Sequence, residues 1–592
     1  MITLSRLIAL LQVDSTVGDL DGNANRIESL SQLALDNGAS LAVSTELAIS
    51  GYPPRDLLLQ PDFVKMAQQK ASTLSVKIPV LVGTPVVPDG ERQLPANGVI
   101  RAGPLSSHPN GKQTNRVVAR KQLLPSYDVF DETRYFQASN RSGICRTIGD
   151  LDLGVTVCED AWQAAGMTPS EYGVDPIENL AEWGRQGVEL DVTVNLSASP
   201  YHADKVGTRI QVCRTASKVL NHPFLLANQV GGNDDLLFDG CSLAAWPDGT
   251  VVVAPSWKEG VLLVDIDDPS NSKWISSTAE DSLQIGSSEI KFLSPNDDGY
   301  EQESDLIEDI TDAVVTGLSD YCRKSNISKI VLGLSGGIDS AVAACVAAEA
   351  VGPENVLGIA MPSRFSSQHS LDDAKYTAES LGLEFKIESI DQLHTTLDSQ
   401  IGEMLESGHN VASENVQSRL RGLIVMAHAN AQGRMAIATG NKSELAQGYC
   451  TLYGDMAGGY TPLGDLYKMQ VYAIAEEFNS RAKDSGNSPP VNKSTLIKPP
   501  SAELAPEQKD EDTLPPYPVL DEILKLHIEQ SMDAEAMIEN GLDRKTVLEV
   551  LTRLERNEHK RWQMSPAPRV SSRAFGQGWR RPLASRHDWR DD

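Results

Sequence analysis

Residues 329–349, KIVLGLSGGIDSAVAACVAAE, decide how the chain is read. Residues 330–334 form a run of β-branched and leucine side chains, the pattern of a buried strand. Gly336 and Gly337 break the run, and an alanine-rich helical segment follows as far as Gly352 and Pro353. Strand, glycine turn and helix together make an anion cradle. Ser335, Gly336, Gly337 and Ser340 offer hydroxyls and unhindered N–H groups in front of a helix N-terminus. The loop has no lysine and lacks the GxxxxGK[ST] spacing, so it is not the common nucleotide loop. A Gly-Gly pair alone would only join a strand to a helix. Asp339 adds chemistry: an acid in the first turn suits the helix dipole, and beside phosphates it suits a Mg²⁺ ion.

The pattern continues on both sides of this loop. Residues 305–324 read as an amphipathic helix, 355–361 and 385–390 as strands, 372–381 and 415–431 as helices, and 435–438 as a fourth strand. This is the alternation of a doubly wound parallel sheet, which binds ligands beyond the C-terminal ends of its strands. The last strand runs into TGNKSELAQGYCTLYGDMAGGYTPLGDLYK, whose many glycines and weak apolar periodicity read as a binding loop. Residues 480–512 have the Pro-, Ser-, Lys- and Glu-rich composition of a disordered segment. The tail carries HKRW and WRRP, read as docking onto the protein's own acidic surface.

Residues 1–270 alternate strands (7–13, 41–47, 80–87, 117–124, 153–158, 191–197, 224–229, 250–254) with helices (23–37, 61–76, 177–187, 204–221), which predicts a layered α/β domain. Residues 271–304 are rich in Asp, Ser, Asn and Pro and read as a linker, in which residues 290–293 are a short strand able to pack on the second domain. Three strand ends carry reactive side chains: Glu46, Lys121 and Cys158. A thiolate nucleophile, a carboxylate to take its proton and an ammonium to steady the oxyanion form a coherent set. Each alone has a plainer reading, Cys158 as a small buried hydrophobe and Glu46 with Lys121 as an ion pair.

The formal net charge of −29 over 592 residues argues against nucleic acid as a main partner. Seven cysteines, scattered and in no CxxC pair, argue against a disulfide framework or zinc knuckle and for a reducing compartment. No apolar run reaches the length of a membrane span and no signal peptide is evident, so a cytoplasmic enzyme without a membrane partner is expected.

Longer segments carry family resemblance. TELAISGYPPRDLL, RKQLLPSYDVFDETRYF, GVTVCEDAW and NLSASPY resemble the glutamine-hydrolysing members of the nitrilase superfamily. That resemblance implies a four-layer αββα sandwich and a Glu46–Lys121–Cys158 triad that releases ammonia from glutamine through a glutamyl thioester. Glu132 is then a candidate second catalytic carboxylate or a helix N-terminal acid, and Tyr127, Phe130, Glu159 and Ser197 are candidates for binding glutamine. SGGIDS resembles the pyrophosphate loop of the ATP-pyrophosphatase superfamily. With ENVQSRLRG, TGNKSELAQGYCTLYGD, PLGDLYK and KPPSAEL it makes residues 305–592 similar to NAD synthetases, and the whole chain resembles the glutamine-dependent members of that family.

The resemblance implies ATP, deamido-NAD and glutamine as substrates and Mg²⁺ as cofactor. It assigns Ser335, Gly336, Gly337, Asp339, Ser340, Thr439, Lys468 and Lys498 to ATP, and Asn415, Arg419, Asn441, Glu444 and Tyr449 to deamido-NAD. Asp339, Glu444 and Ser501 are implied metal ligands, although the family usually has threonine at the last position. Arg419 and Arg421 lie two apart on a helix and so point to different faces. A mobile loop within 480–512, a buried ammonia channel and a homo-octamer are further implications. The competing readings are an amidotransferase of the same superfamily with another carbonyl acceptor, a tRNA-modifying enzyme and a scaffold with degenerate sites. The TGNKSE and KPPSAEL segments, the acidic balance and the intact reactive set, respectively, weigh against them.

Overall fold

The computed structural model describes residues 6–88, 90, 93–104, 116–141, 143–148, 151–277, 289–297, 303–406, 411–501, 503–505 and 510–585. Parts of the stretches read as linker (278–288 and 298–302) and as loop (502 and 506–509) lie outside the described residues. The chain divides into two units, one built on residues 1–233 and 237–302, the other on 234–236 and 303–592.

The first unit has two seven-stranded sheets. One runs Lys273–Ser276, Gly260–Asp265, Leu7–Gln12, Leu41–Val43, Val80–Val86, Ala96–Ala102, Arg116–Arg120; the other runs Lys291–Leu293, Val251–Val253, Leu243–Ala245, Phe224–Asn228, Val192–Ser197, Leu151–Val157, Gly143–Ile148. Their facing sides share one core, in which Leu10, Val43 and Leu81 meet Val155, Val194 and Leu225. Each outer face carries helices. Leu20–Asp36 and Pro61–Ser72 cover the first sheet, Pro176–Arg185 and Lys205–Leu220 the second. The first of these helices shows how local sequence sets the layer. Asp19 caps the N–H of Gly22, and Leu20, Ala24, Ile27, Leu30 and Ala34 recur at helical spacing and are buried. The result is the expected αββα sandwich.

Six strands of this unit fall in stretches without a sequence assignment: 96–102, 143–148, 230–233, 236–239, 243–245 and 260–265. The strand at 291–293 pairs antiparallel with Val251–Val253, so it completes a sheet of the first unit and not of the second. Apolar matching along the sheet edge decides this, since Leu293 is buried against Val251 and Val253.

The second unit holds a four-stranded sheet in the order Glu384–Ile387, Val356–Ala360, Ile330–Gly333, Met435–Ala436, every pair parallel. Ile338–Val351 is buried nearly all round, as its alanine-rich sequence requires, and packs with Glu303–Lys324. Val425 and Ala429 of Val411–Gln432 pack on Val331, Leu357 and Ile359 of the sheet. A separate helical core unites Tyr517–Ile528, Ala534–Glu539 and Arg544–Arg556 with Phe575 and Trp579 of the tail. The tail is therefore held by apolar burial as well as by charge, and acidic-surface docking alone does not describe it. Lys442–Gln447 is a buried helix rather than open loop. Residues 480–501 also pack: Tyr376 OH donates to the Pro489 carbonyl at 3.1 Å and Asn492 Nδ2 to Asp373 at 2.8 Å. Specific polar anchors override the disorder-like composition there.

Candidate active sites

In the first unit, parallel and antiparallel neighbours end side by side, and their ends deliver Glu46, Lys121 and Cys158, all buried. Lys121 Nζ donates to Glu46 Oε1 and to Glu132 Oε1, each at 2.8 Å. Each carboxylate is anchored again. Asn97 Nδ2 donates to Glu46 Oε1 at 2.7 Å, the Ala198 N–H to Glu46 Oε2 at 3.0 Å, and Tyr52 OH to Glu132 Oε1 at 3.0 Å. Burial works against the Lys121 ammonium, but Glu132 and Glu46 outweigh it and hold its pKa well above the ordinary lysine value. Burial, opposed by Lys121 and reinforced by Glu46, lifts the Glu132 carboxyl to about 7.

Cys158 opens a short 3-10 turn, Cys158–Ala161, with φ +44°. That region is uncommon for a residue with a Cβ and is held by its surroundings. Asn195 Nδ2 donates to the Cys158 carbonyl at 3.2 Å. Burial and then Glu46 push the thiol pKa well up, while Lys121 and Ser197 pull it back, so the resting sulfur keeps its proton. Tyr127, Phe130, Glu159 and Ser197 gather at this centre. Tyr127 OH donates to Glu159 Oε1 at 2.9 Å, and the Tyr127 and Phe130 rings meet edge-on at 5.4 Å. Burial raises the Glu159 pKa as well.

In the second unit, Gly336 has φ +81°, and a Cβ there would lie 2.1 Å from the Ser370 carbonyl oxygen, so glycine is required. The loop closes on itself: the Gly337 N–H donates to Ser335 Oγ at 3.2 Å, and Ser340 Oγ donates to the Gly337 carbonyl at 2.9 Å. Lys468 Nζ, itself buried, donates to Asp339 Oδ2 at 2.5 Å and to Glu444 Oε1 at 3.1 Å. Asn441 Nδ2 donates to the other Asp339 oxygen at 2.8 Å, and its N–H reaches Glu444 Oε2 at 3.3 Å. Burial and Asp339, against Lys468, lift the Glu444 carboxyl to about 8. Lys468 also lies 5.1 Å from the Tyr517 ring centre.

Lys498 donates to Ser370 Oγ and, at 2.8 Å, to Glu503; through Ser370 it stands next to Gly336. Ser501 Oγ accepts from the Glu503 N–H at 3.1 Å in the same stretch. Thr439 is half-buried between the last strand and Lys442–Gln447. Asn415 Oδ1 accepts from Thr451 Oγ1 at 2.9 Å, and Arg419 donates to the Leu452 carbonyl at 3.2 Å. Arg421 instead donates to the Met361 carbonyl at 3.1 Å. Tyr449 lies beside Asp510, which together with burial raises its pKa. Asp339, Asn441, Glu444 and Lys468 thus form one bonded cluster, while Asn415 and Arg419 face residues 451–452.

Several side chains that complete these clusters went unread in the sequence: Tyr52, Asn97, Asp160 and Tyr172 in the first, Ser370, Glu503, Asp510, Tyr517 and Asp521 in the second. Tyr172 OH donates to Glu159 at 3.1 Å, and Asp521 accepts from Ser443 Oγ at 2.5 Å and from the Met469 N–H at 2.9 Å. Tyr52 stands inside TELAISGYPPRDLL, Asp160 inside GVTVCEDAW and Glu503 inside KPPSAEL, segments singled out for other residues.

Residues 7–275 match the carbon-nitrogen hydrolase family and residues 310–564 the NAD synthase family. The glutamine-dependent NAD(+) synthetase of Synechocystis sp. is 39% identical over 591 residues, covering 98% of each chain. That of Thermotoga maritima is 36% identical over 598 residues, again covering 98% of each. The solved glutamine-dependent NAD(+) synthetase of Acinetobacter baumannii, in complex with ADP, superposes with a TM-score of 0.70 at 31% identity, covering 98% of each chain. Among the described residues no helix is long and apolar enough to cross a membrane.

Proposed function

The chain belongs to the glutamine-dependent NAD(+) synthetases, carbon–nitrogen ligases that join a glutaminase half to an NAD synthase half, and on that premise we propose how its two buried lysine–carboxylate clusters share the reaction. Glu46 takes the Cys158 proton as the sulfur attacks the side-chain amide carbon of glutamine. Lys121 donates to the oxyanion that forms. When the C–N bond breaks, Glu46 returns the proton to nitrogen and ammonia leaves. A water molecule, deprotonated by Glu46, then cleaves the thioester to glutamate and restores the thiol. Glu132, with Tyr52, fixes Lys121, while Glu159, Tyr127, Phe130 and Ser197 hold the glutamine.

In the second half, a nicotinate carboxylate oxygen of deamido-NAD attacks the α-phosphorus of ATP and pyrophosphate leaves. Ammonia attacks the resulting acyl carbon and AMP leaves, giving NAD. Ser335, Gly337 and Ser340 donate to the departing phosphates, and Lys468 and Lys498 balance their charge. Asn415, Arg419, Asn441, Glu444 and Tyr449 hold the dinucleotide. Among the described residues no three His, Cys, Asp or Glu side chains form a metal cage. Two carboxylates are nonetheless the donor set that Mg²⁺ uses when phosphates complete its shell, so Asp339 and Glu444, with the Ser501 hydroxyl, fit that ion. Bound there, Mg²⁺ neutralises charge on the phosphates. Internal passage of ammonia, a cytoplasmic setting and assembly as a homo-octamer complete the reading.

One observation carries it. Each half holds a buried lysine shared by two carboxylates, Lys121 beside a strained cysteine at a strand end and Lys468 at the start of a helix beside a glycine-rich anion cradle. The test is a product assay with deamido-NAD, ATP and Mg²⁺ and either glutamine or ammonium. Wild type forms NAD and AMP with both donors, and Cys158→Ala forms them only with ammonium. Glutamine hydrolysis without NAD from either donor would refute the assignment of the second half.

A further inference from the structure

We propose that Asp160 is the positioning residue that sets Lys121 against the Cys158 thiol, an inference that rests on the reading of the glutaminase half given above. Asp160 is buried, and each of its oxygens bonds to a different strand end. Its Oδ1 accepts the N–H groups of Gln122 and Leu123, both at 2.9 Å, directly after Lys121. Its Oδ2 accepts the Val157 N–H at 3.0 Å, directly before Cys158. One side chain therefore clamps the backbone that carries the ammonium to the backbone that carries the sulfur. These segments belong to different sheets, Arg116–Arg120 to one and Leu151–Val157 to the other, and no ladder hydrogen bond fixes their separation.

The chemistry of the clamp calls for a carboxylate. Three donors converge on two oxygens, and only an ionised acid accepts from all of them without presenting a donor of its own. Burial raises the Asp160 pKa to about 6, with the Leu123, Val157 and Gln122 N–H groups pulling back toward the ionised form. In an asparagine the oxygen would stay with the pair of donors after Lys121, and the amide NH₂ would face the Val157 N–H. That contact is repulsive, so the strained Cys158 turn would relax away from Lys121. Asn195, through the Cys158 carbonyl, and Tyr127 and Tyr172, through the Glu159 side chain, would then hold the turn without a bond to the strand before it.

Position and charge predict opposite shifts. The titratable groups acting on the thiol are Glu46, Lys121, Glu132, Tyr52 and Tyr127. Removing the Asp160 charge alone favours the thiolate and lowers the pH at which Cys158 reacts. Separating the thiol from Lys121 disfavours the thiolate and raises that pH.

The experiment follows the pH dependence of Cys158 alkylation by iodoacetamide in the full chain, read on the Cys158 peptide, together with glutaminase kinetics and ammonium-dependent NAD formation. Asp160→Asn is expected to move the alkylation midpoint up by about one pH unit. It should lower kcat for glutamine about 10- to 100-fold, with KM changed less than about threefold and ammonium-dependent synthesis preserved. Asp160→Glu keeps the charge but displaces the oxygens, and should shift the midpoint in the same direction; it also carries the test if the asparagine variant does not fold. A downward shift in Asp160→Asn with a wild-type profile in Asp160→Glu would reduce the residue to its charge and overturn the proposal. Unmoved profiles in both variants would overturn it as well. A wild type that hydrolyses no glutamine would instead refute the underlying reading of the site.

Discussion

The two sites use the same trio, a buried lysine between two carboxylates, in different settings. Around Lys121 the trio is sealed: the side chains of Lys121, Glu46 and Glu132 are 0%, 0% and 5% exposed, and Asn97, Tyr52 and the Ala198 N–H take further carboxylate positions. Around Lys468 the lysine is buried, but Asp339 and Glu444 keep 18% and 16% of their side-chain surface. The sealed trio keeps Lys121 between its two carboxylates and away from solvent, which suits a fixed oxyanion donor serving one sulfur. The open trio can trade its lysine for a phosphate and its carboxylates for a cation, which suits a site that must load and release a charged nucleotide. Similar bonding thus accompanies two different exposures, and on the proposed reading exposure separates the two tasks.

Breaking each trio in turn tests that contrast most strongly. Lys121→Met should lower glutamine-supported NAD formation by about 10³- to 10⁴-fold and leave the ammonium-supported rate unchanged, as initial rates with each donor will show. Lys468→Met should cost about 10²- to 10³-fold with either donor, because the activation step serves both. Gly336→Ala places a Cβ against the Ser370 carbonyl at positive φ, so it should cost on the order of 2–3 kcal/mol and raise KM for ATP, measured by denaturant unfolding and kinetics.

The pH dependence of stability sharpens the comparison. Glu132 and Glu444 are lifted from the ordinary 4.5 to about 7 and about 8. At pH below 4.5 both are protonated, folded or unfolded, and their contribution is fully present. As pH rises further the unfolded chain releases these protons first, so stability is lost up to the folded values. Thermal melts from pH 5 to 8 should decline, and Glu132→Gln and Glu444→Gln should each flatten the slope. The smallest effect expected is that of Tyr172→Phe, which removes one hydrogen bond to Glu159 and should raise KM for glutamine about two- to fivefold.

What was legible in the sequence followed from local pattern. Residues 330–349 announce strand, turn and helix because apolar runs and glycines lie next to each other in the chain. Glu46, Lys121 and Cys158 stand at strand ends, and the resemblance of the segments around them to the nitrilase superfamily makes them a set. The pairings that fix the site residues are silent in the sequence. Tyr52 and Asn97 lie 80 and 51 residues from the carboxylates they bind, and Lys468 lies 129 from Asp339. No periodicity encodes such contacts. The pairing of the strand at 291–293 with Val251–Val253 is illegible for a related reason: a three-residue edge strand carries too little pattern to name its partner. Residues 480–501 misled by composition, because a few anchors such as Asn492 to Asp373 order a polar stretch that has little apolar surface to bury.

The division of labour between the trios is tested most directly by one ratio, glutamine-supported to ammonium-supported NAD formation, measured for wild type, Lys121→Met and Lys468→Met under identical ATP and deamido-NAD. The ratio should fall about 10³-fold in Lys121→Met and stay near the wild-type value in Lys468→Met, whose losses are shared by both donors. An equal fall of the ratio in both variants, or none in either, would contradict the assignment of one trio to glutamine and the other to ATP.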